Sequence, residues 1–237
     1  MIVTTLLAHL VGDYILQWDG LARWKSQELK GVLAHGLIVL LVTAAFSLPL
    51  DMNWWPWALL IGLSHTVIDA IPLWLGKRIP LQTAGTLALA RFLVDQTLHL
   101  GVSIMVLTAS GYVTPSVLAA DLAATLRRQP ELAYLLGYTF ITMPAWVLTR
   151  FAVYGLVKGS MPDFSQADKK YVGILERGLI TTFVVTGQFV LVPVVSLPRL
   201  ILEAPQVRAS QQAMSYVAEL LASVTVAVAI GLLLRML

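Results

Sequence analysis

The chain has 237 residues, 58% of them hydrophobic and 12% charged, with a mean hydropathy of +0.80. Soluble domains carry about 25% charged residues, so this composition describes an integral membrane protein. There is no cysteine, which excludes disulfides and thiolate metal centres and leaves only His and carboxylate ligands for any metal.

Apolar runs of about 17–25 residues span a bilayer as helices, and about seven are found on that criterion. The first, 1–18, is short for a span. It has no basic stretch before it and no convincing cleavage site after it, so it is expected to be retained rather than removed as a leader. A charged loop follows, with Asp19, Arg23, Lys25, Glu28 and Lys30. The second span covers 31–49. The corner DMNWWPW, whose tryptophans suit an interfacial belt, leads into the third at 54–75. GKRIP precedes the fourth at 83–108. The less apolar stretch after it reads as an interfacial amphipathic helix over 115–128, opened by Pro115 and closed by Arg127 and Arg128. The fifth span is 131–157, followed by the hydrophilic loop KGSMPDFSQADKK, and the sixth is 171–197. PRLILEAPQVRASQQ reads as loop or interfacial, and the seventh span is 214–234. The expected fold class is all-α: a polytopic transmembrane helix bundle forming one domain over 1–237.

The net charge of +3 is modest, and the basic residues lie mostly between apolar runs, where they set topology rather than bind nucleic acid. Arg23, Lys25, Lys30, Lys77, Arg78, Lys158, Lys169 and Lys170 fall on one side of the predicted bundle; Arg127, Arg128, Arg199 and Arg208 fall on the other. The bias makes the first set cytoplasmic, with the N-terminus outside and the C-terminus inside.

All four histidines lie in apolar segments, and three have an aspartate one helical turn away: His9 with Asp13, His65 with Asp69, and Asp95 with His99. The fourth is His35. Residues i and i+4 share a helix face with Cβ atoms roughly 6 Å apart, so each pair aims an imidazole and a carboxylate the same way. Ionisable groups inside a bilayer are costly and are functional by default. On the predicted topology these seven groups converge on the cytoplasmic half of the bundle. Arg91 lies one turn below Asp95, and Arg150, Glu176 and Arg177 lie at a similar level.

His9, Asp13, His35, His65, Asp69, Asp95 and His99 exceed what one tetrahedral zinc needs and suffice for two metals with bridging carboxylates. Zinc heads the expected ions, with manganese and iron as alternatives. A metal pair about 3.5–4 Å apart suits phosphate-ester hydrolysis. Asp69, His65 and Arg91 are the expected catalytic set, with Arg91, Arg150 or Arg177 holding a substrate phosphate. The plainer alternatives are polar pairs that glue helices, Arg91 neutralising Asp95, Arg150 and Arg177 snorkelling to the surface, Glu176 sitting at a helix N-terminus, and Gly12 and Gly62 allowing close packing. Two other classes stand beside a hydrolase. A proton- or metal-coupled transporter would need a polar path beyond His99, where the sequence offers little polar material. A non-catalytic accessory subunit of a larger membrane complex would use the polar groups for assembly.

The succession LLAHLVGDYILQ, a charged segment, LAHG, SHTVIDA and DQTLH resembles an uncharacterised bacterial polytopic membrane family that opens with Leu-Ala-His-Leu-x-Gly-Asp-Phe-x-Leu-Gln. The resemblance extends to YVGILERGLI and to Gly187-Gln188. It implies a place in the bacterial cytoplasmic membrane, and it carries over to His9, Asp13, Gln17, His35, His65, Asp69, Asp95, His99, Glu176 and Arg177. The C-terminal end departs from the family, with Val195-Ser196 and Met214 to Glu219 where the family has Lys-Ser, Glu-Tyr and Gly-Thr steps. More loosely, the His-x-x-x-Asp placement is similar to that of inner-membrane metal-dependent hydrolases, which implies a lipid phosphate or other amphiphilic ester as substrate.

Overall fold

The computed structural model describes residues 1–76, 85–164, 167–209 and 213–237. Lys77 and Arg78, which entered the topology count, lie outside the described residues, as do the side chains of Lys169 and Arg208. The described chain is all-helical, with no strand among the described residues. In order the helices are α1 (Ile2–Leu10), continued by a π-helical segment Val11–Ile15; α2 (Asp19–Gln27); α3 (Leu29–Ser47); a 3-10 turn Met52–Trp54 leading into α4 (Trp55–Gly76); α5 (Gly85–Ala109); a 3-10 turn Pro115–Val117 leading into α6 (Leu118–Arg128); α7 (Pro130–Phe140); α8 (Met143–Val153) with a second π segment Tyr154–Lys158; α9 (Ala167–Val185); α10 (Leu191–Ala209); and α11 (Ala213–Arg235).

Four helices are long and apolar enough to cross a membrane: Leu29–Ser47, Met52–Trp74, Gly85–Ala109 and Ala213–Arg235. A fifth candidate is the pair α7 and α8 with its π segment, bent by 45°. The expected count of seven therefore becomes four or five on this criterion. The fifth expected span is interrupted at Ile141 and Thr142, just before Pro144, which lacks an amide proton to continue the helix. The sixth expected span, 171–197, is divided between α9 and α10 around Gly187, whose φ of 78° favours glycine. The stretch expected as loop or interfacial, PRLILEAPQVRASQQ, instead continues α10 as far as Ala209. Pro193 sits in the first turn of α10, where an amide has no intrahelical partner to lose. The charged loop after the first segment is also a helix, α2. The helix expected at 115–128 is present, with Pro115 at its first turn.

Contacts divide the chain into two compact units, and each is described by itself. In the first (Met1–Gln82 and Leu93–Leu132), α3 packs against α1, α2 and α4. Its apolar core includes Ile2, Trp54, Ala58, Ile61, Val106, Leu107 and Val113. Trp54 is a core residue rather than part of an interfacial belt, whereas Trp55 beside it is exposed. Glycines set the spacing of α3 and α4. A Cβ on Gly62 would lie 2.6 Å from Leu40 Cβ, and one on Gly36 would collide with Thr66 Oγ1. This bears out close packing as the role of Gly62.

In the second unit (Thr83–Phe92 and Ala133–Leu237), α9 and α11 pack together, with α8 and α10 beside them. Ile180, Val184 and Ala227 form its buried centre.

Candidate metal centre of the first unit

Four elements deliver the histidines and aspartates of the site. The α1 helix supplies His9, and its π continuation, a form frequent at functional sites, supplies Asp13. His35 comes from α3, His65 and Asp69 from α4, and Asp95, Gln96 and His99 from α5. The glycine contacts between α3 and α4 bring His35 and His65 together, with 3.1 Å between their Nε2 atoms.

Asp13 Oδ1 lies 3.2 Å from His35 Nε2 and 3.8 Å from His65 Nε2. Asp69 Oδ2 lies 3.3 Å from His65 Nε2 and 3.5 Å from His35 Nε2. Ligands about 2.0–2.1 Å from a tetrahedral zinc stand roughly 3.3–3.4 Å apart, so these separations match those of a ligand shell. His99 adds a fifth donor. Its Nδ1 is 2.9 Å from the carbonyl oxygen of Asp95, which can only accept, so in the neutral ring the proton sits on Nδ1. That leaves a lone pair on Nε2, which is buried without a hydrogen-bond partner, 3.9 Å from Asp69 Oδ1. Such a fixed tautomer is the usual outer-shell arrangement of a metal-binding histidine. Two triads, Asp13–His35–His65 and His65–Asp69–His99, have geometry able to hold a metal ion.

A family match covers residues 1–125. The chain belongs to the family of proteins of unknown function DUF3307. No curated protein and no solved structure matches the chain. The DUF3307 stretch contains all four histidines and Asp13, Asp69 and Asp95. It stops short of Glu176 and Arg177, so the family match does not reach the C-terminal part of the resemblance, and no match links the chain to metal-dependent hydrolases.

Within the DUF3307 stretch, Asp13, His35, His65, Asp69 and His99 come together in the buried interior. His9 is equally buried, its ring stacked 5.8 Å from that of His99, and its Nε2 reaches Asp13 through Gln96. The Gln96 amide nitrogen is 3.2 Å from Asp13 Oδ2 and 3.0 Å from Asp95 Oδ2. Carboxylates accept, so this end must be the NH2, and Gln96 Oε1 then accepts from His9 Nε2 at 3.2 Å. Asp95 occupies the rim, its side chain 34% exposed. Arg91 falls in the second unit, and its guanidinium makes no hydrogen bond or ion pair among the described residues.

Lys25 and Gln96 belong to the site although neither was expected there. Lys25 Nζ lies 3.0 Å from Asp69 Oδ2 and 3.8 Å from Asp13 Oδ1. Burial pushes its pKa down, but the Asp13 and Asp69 carboxylates outweigh burial and hold it above the ordinary lysine value. The available signal was spacing: Lys25 follows the buried Leu21 by four residues, on the inward face of α2. Gln96 lies three residues before His99, near the same face of α5.

A cavity of about 10 Å³ adjoins the cluster, with Thr5, His9, Thr43, His65, His99 and Ser103 among its lining. That is about the space of one water. Buried hydroxyls continue away from the His/Asp cluster: Ser103 Oγ donates to the His99 carbonyl at 3.0 Å, and Ser47 Oγ donates to the Thr43 carbonyl at 2.7 Å. The region past His99 is therefore more polar than expected, because single Ser and Thr residues do not break an apolar run.

In the second unit Arg150 and Arg177 are buried, not snorkelling. Glu176 lies well inside α9 rather than at its N-terminus, and pairs with Arg199 at 3.1 Å. Arg177 closes the helix break: Nε donates to the Ile141 carbonyl at 2.6 Å, Nη2 to the Thr142 carbonyl at 2.9 Å, and Nη1 to Ser223 Oγ at 3.2 Å.

Proposed function

We propose that the first unit holds a divalent transition metal within the membrane and uses it to hydrolyse a phosphate ester or another amphiphilic ester at the cytoplasmic side. The observation that carries this reading is the set of 3.1–3.8 Å contacts among Asp13, His35, His65 and Asp69. Mixed nitrogen and oxygen donors suit zinc, and also manganese or iron. The two candidate triads share His65, and one Nε2 lone pair serves one ion, so the reading takes one metal per chain.

The cavity beside His65 and His99 takes a water that the metal would activate as nucleophile. It has no room for an ester. The substrate therefore approaches from the rim, where Asp95 and Lys25 are partly exposed and the Lys25 ammonium can meet a phosphoryl oxygen. Asp69 and His65 hold the metal and its water. In this reading the protein lies in the bacterial cytoplasmic membrane with its N-terminus outside and its C-terminus inside. The α1 segment and the α9–α10 pair would complete seven crossings.

The test is elemental mass spectrometry of the detergent-purified chain, prepared without chelator. About one equivalent of zinc, manganese or iron, lost in Asp69→Ala, is expected, followed by turnover in a screen of phosphate-ester lipids. A chain without transition metal would sink the proposal. A second reading, a proton- or metal-coupled transporter, is favoured by the buried hydroxyls Ser103, Thr43 and Ser47 beyond His99. Zinc or proton flux into liposomes containing the chain, without ester hydrolysis, would select it.

A further inference from the structure

We propose that the second unit, outside the family match, carries a site for the phosphate of an anionic phospholipid, formed by Arg150, Lys158 and Tyr154. Two cations converge on one neutral oxygen there. Tyr154 Oη accepts from Arg150 Nη1 at 3.2 Å and from Lys158 Nζ at 3.3 Å. Arg150 is 7% exposed, and its Nε is buried with no hydrogen-bond partner. Glu219 reaches only the Nη1 side of that guanidinium, at 3.3 Å. Arg150 and Lys158 bring two like charges to one oxygen, and a phosphate beside them supplies the opposite charge and several acceptor oxygens.

The surroundings favour a lipid as the source of that phosphate. Lys158 ends the bent candidate span 130–158, where a headgroup would lie, and is only half-buried. Beside it Leu156 is 73% exposed, and Val157, Met161 and Phe164 are exposed too. Such a surface suits acyl chains rather than a soluble phosphate. The π segment Tyr154–Lys158 carries both the phenol and the lysine, and it ends at Gly159, whose φ of 67° turns the chain away.

Native mass spectrometry of the full chain in detergent tests this, with phosphatidylglycerol and phosphatidylcholine of identical acyl chains as probes and inorganic phosphate as competitor. Phosphatidylglycerol should be retained in preference to phosphatidylcholine. Lys158→Gln should weaken it about fivefold, the effect of about one interfacial lysine. Lys158→Arg should retain it, and Lys30→Gln, an exposed lysine elsewhere, should leave it unchanged. A melting curve confirms that each variant is folded. Equal binding of the two lipids, or unchanged binding in Lys158→Gln, overturns the proposal. Displacement of the lipid by inorganic phosphate at comparable concentration overturns the lipid as the occupant.

Discussion

One buried cluster in each unit holds charge in the opposite way to the other. In the second, the Arg177 guanidinium lies among two backbone carbonyls and a serine hydroxyl, each within 3.2 Å, so the chain itself satisfies the cation. In the first, two carboxylates and three imidazoles crowd together while the lone pair on His99 Nε2 finds no hydrogen bond. A buried polar group satisfied by its own chain serves the fold. A cluster left with an unused lone pair is organised for something that arrives later. Removing the first kind of group should therefore be felt in stability, and removing the second kind in binding.

The largest effect is expected from Arg177→Leu. It leaves the Ile141 carbonyl without its donor and the Thr142 carbonyl with only the Trp146 amide, and it frees Ser223 Oγ, a loss of about 2–4 kcal/mol. Reversible denaturation in mixed micelles measures it, and a change below about 1 kcal/mol would show that the guanidinium is not what holds the break. Asp69→Asn is the counterpart in the first unit. Structural zinc sites are worth about 10–16 kcal/mol over four ligands, so losing one ligand should weaken metal binding by roughly 100-fold or more. The metal-free chain should lose about 1 kcal/mol or less, because Lys25, 19% exposed, can turn its ammonium to solvent. A large stability loss with unchanged metal affinity would reverse the contrast between the units.

How much of this could be read from the sequence follows from what local pattern encodes. Helical character and the pairing of His65 with Asp69 are local, and both appear as read. The meeting of His35 with Asp13 and His65 is tertiary, and depth in the membrane was enough to anticipate it. What local pattern missed is equally physical. Lys25 falls in an expected loop because a polar helix such as α2 has no apolar run to announce it. Hydropathy averages over the breaks around Ile141 and Gly187, although Pro144 and Gly187 mark the places. Asp95 has the same spacing from its histidine as Asp13 and Asp69, yet it faces the rim while its neighbour Gln96 turns inward. Spacing gives a shared face but not which way that face is turned.

Gly62 sharpens the comparison at the level of packing. Alanine there must push Leu40 and α3 away, at about 1–3 kcal/mol, and should separate His35 from His65. Gly62→Ala is thus expected to lower stability and metal affinity together. Gly101→Ala in α5, where an added methyl meets nothing within 4 Å, should be neutral or gain about 0.5–1 kcal/mol from helix propensity. If both alanines behave alike, the α3–α4 contact does not set the site.

The prediction at Lys25 is the most telling, because it expects tighter metal binding where the other site variants weaken it. The Lys25 ammonium and a divalent metal compete for the same two carboxylates, so Lys25→Met should raise metal affinity, by about tenfold for a lost competitor worth roughly 1.4 kcal/mol. Lys25→Arg keeps the charge and should keep the lower affinity. Because Asp13 and Asp69 raise the lysine pKa, the ammonium's contribution is complete below the ordinary lysine value and is lost only as pH rises past the raised one. Between pH 6 and about 9 the competition should therefore not relax through Lys25. Isothermal titration of zinc into the three chains at two pH values in that window reads both points. Equal affinity in all three would mean that Lys25 moves aside without opposing the metal, leaving the carboxylates paired with it only as a resting contact.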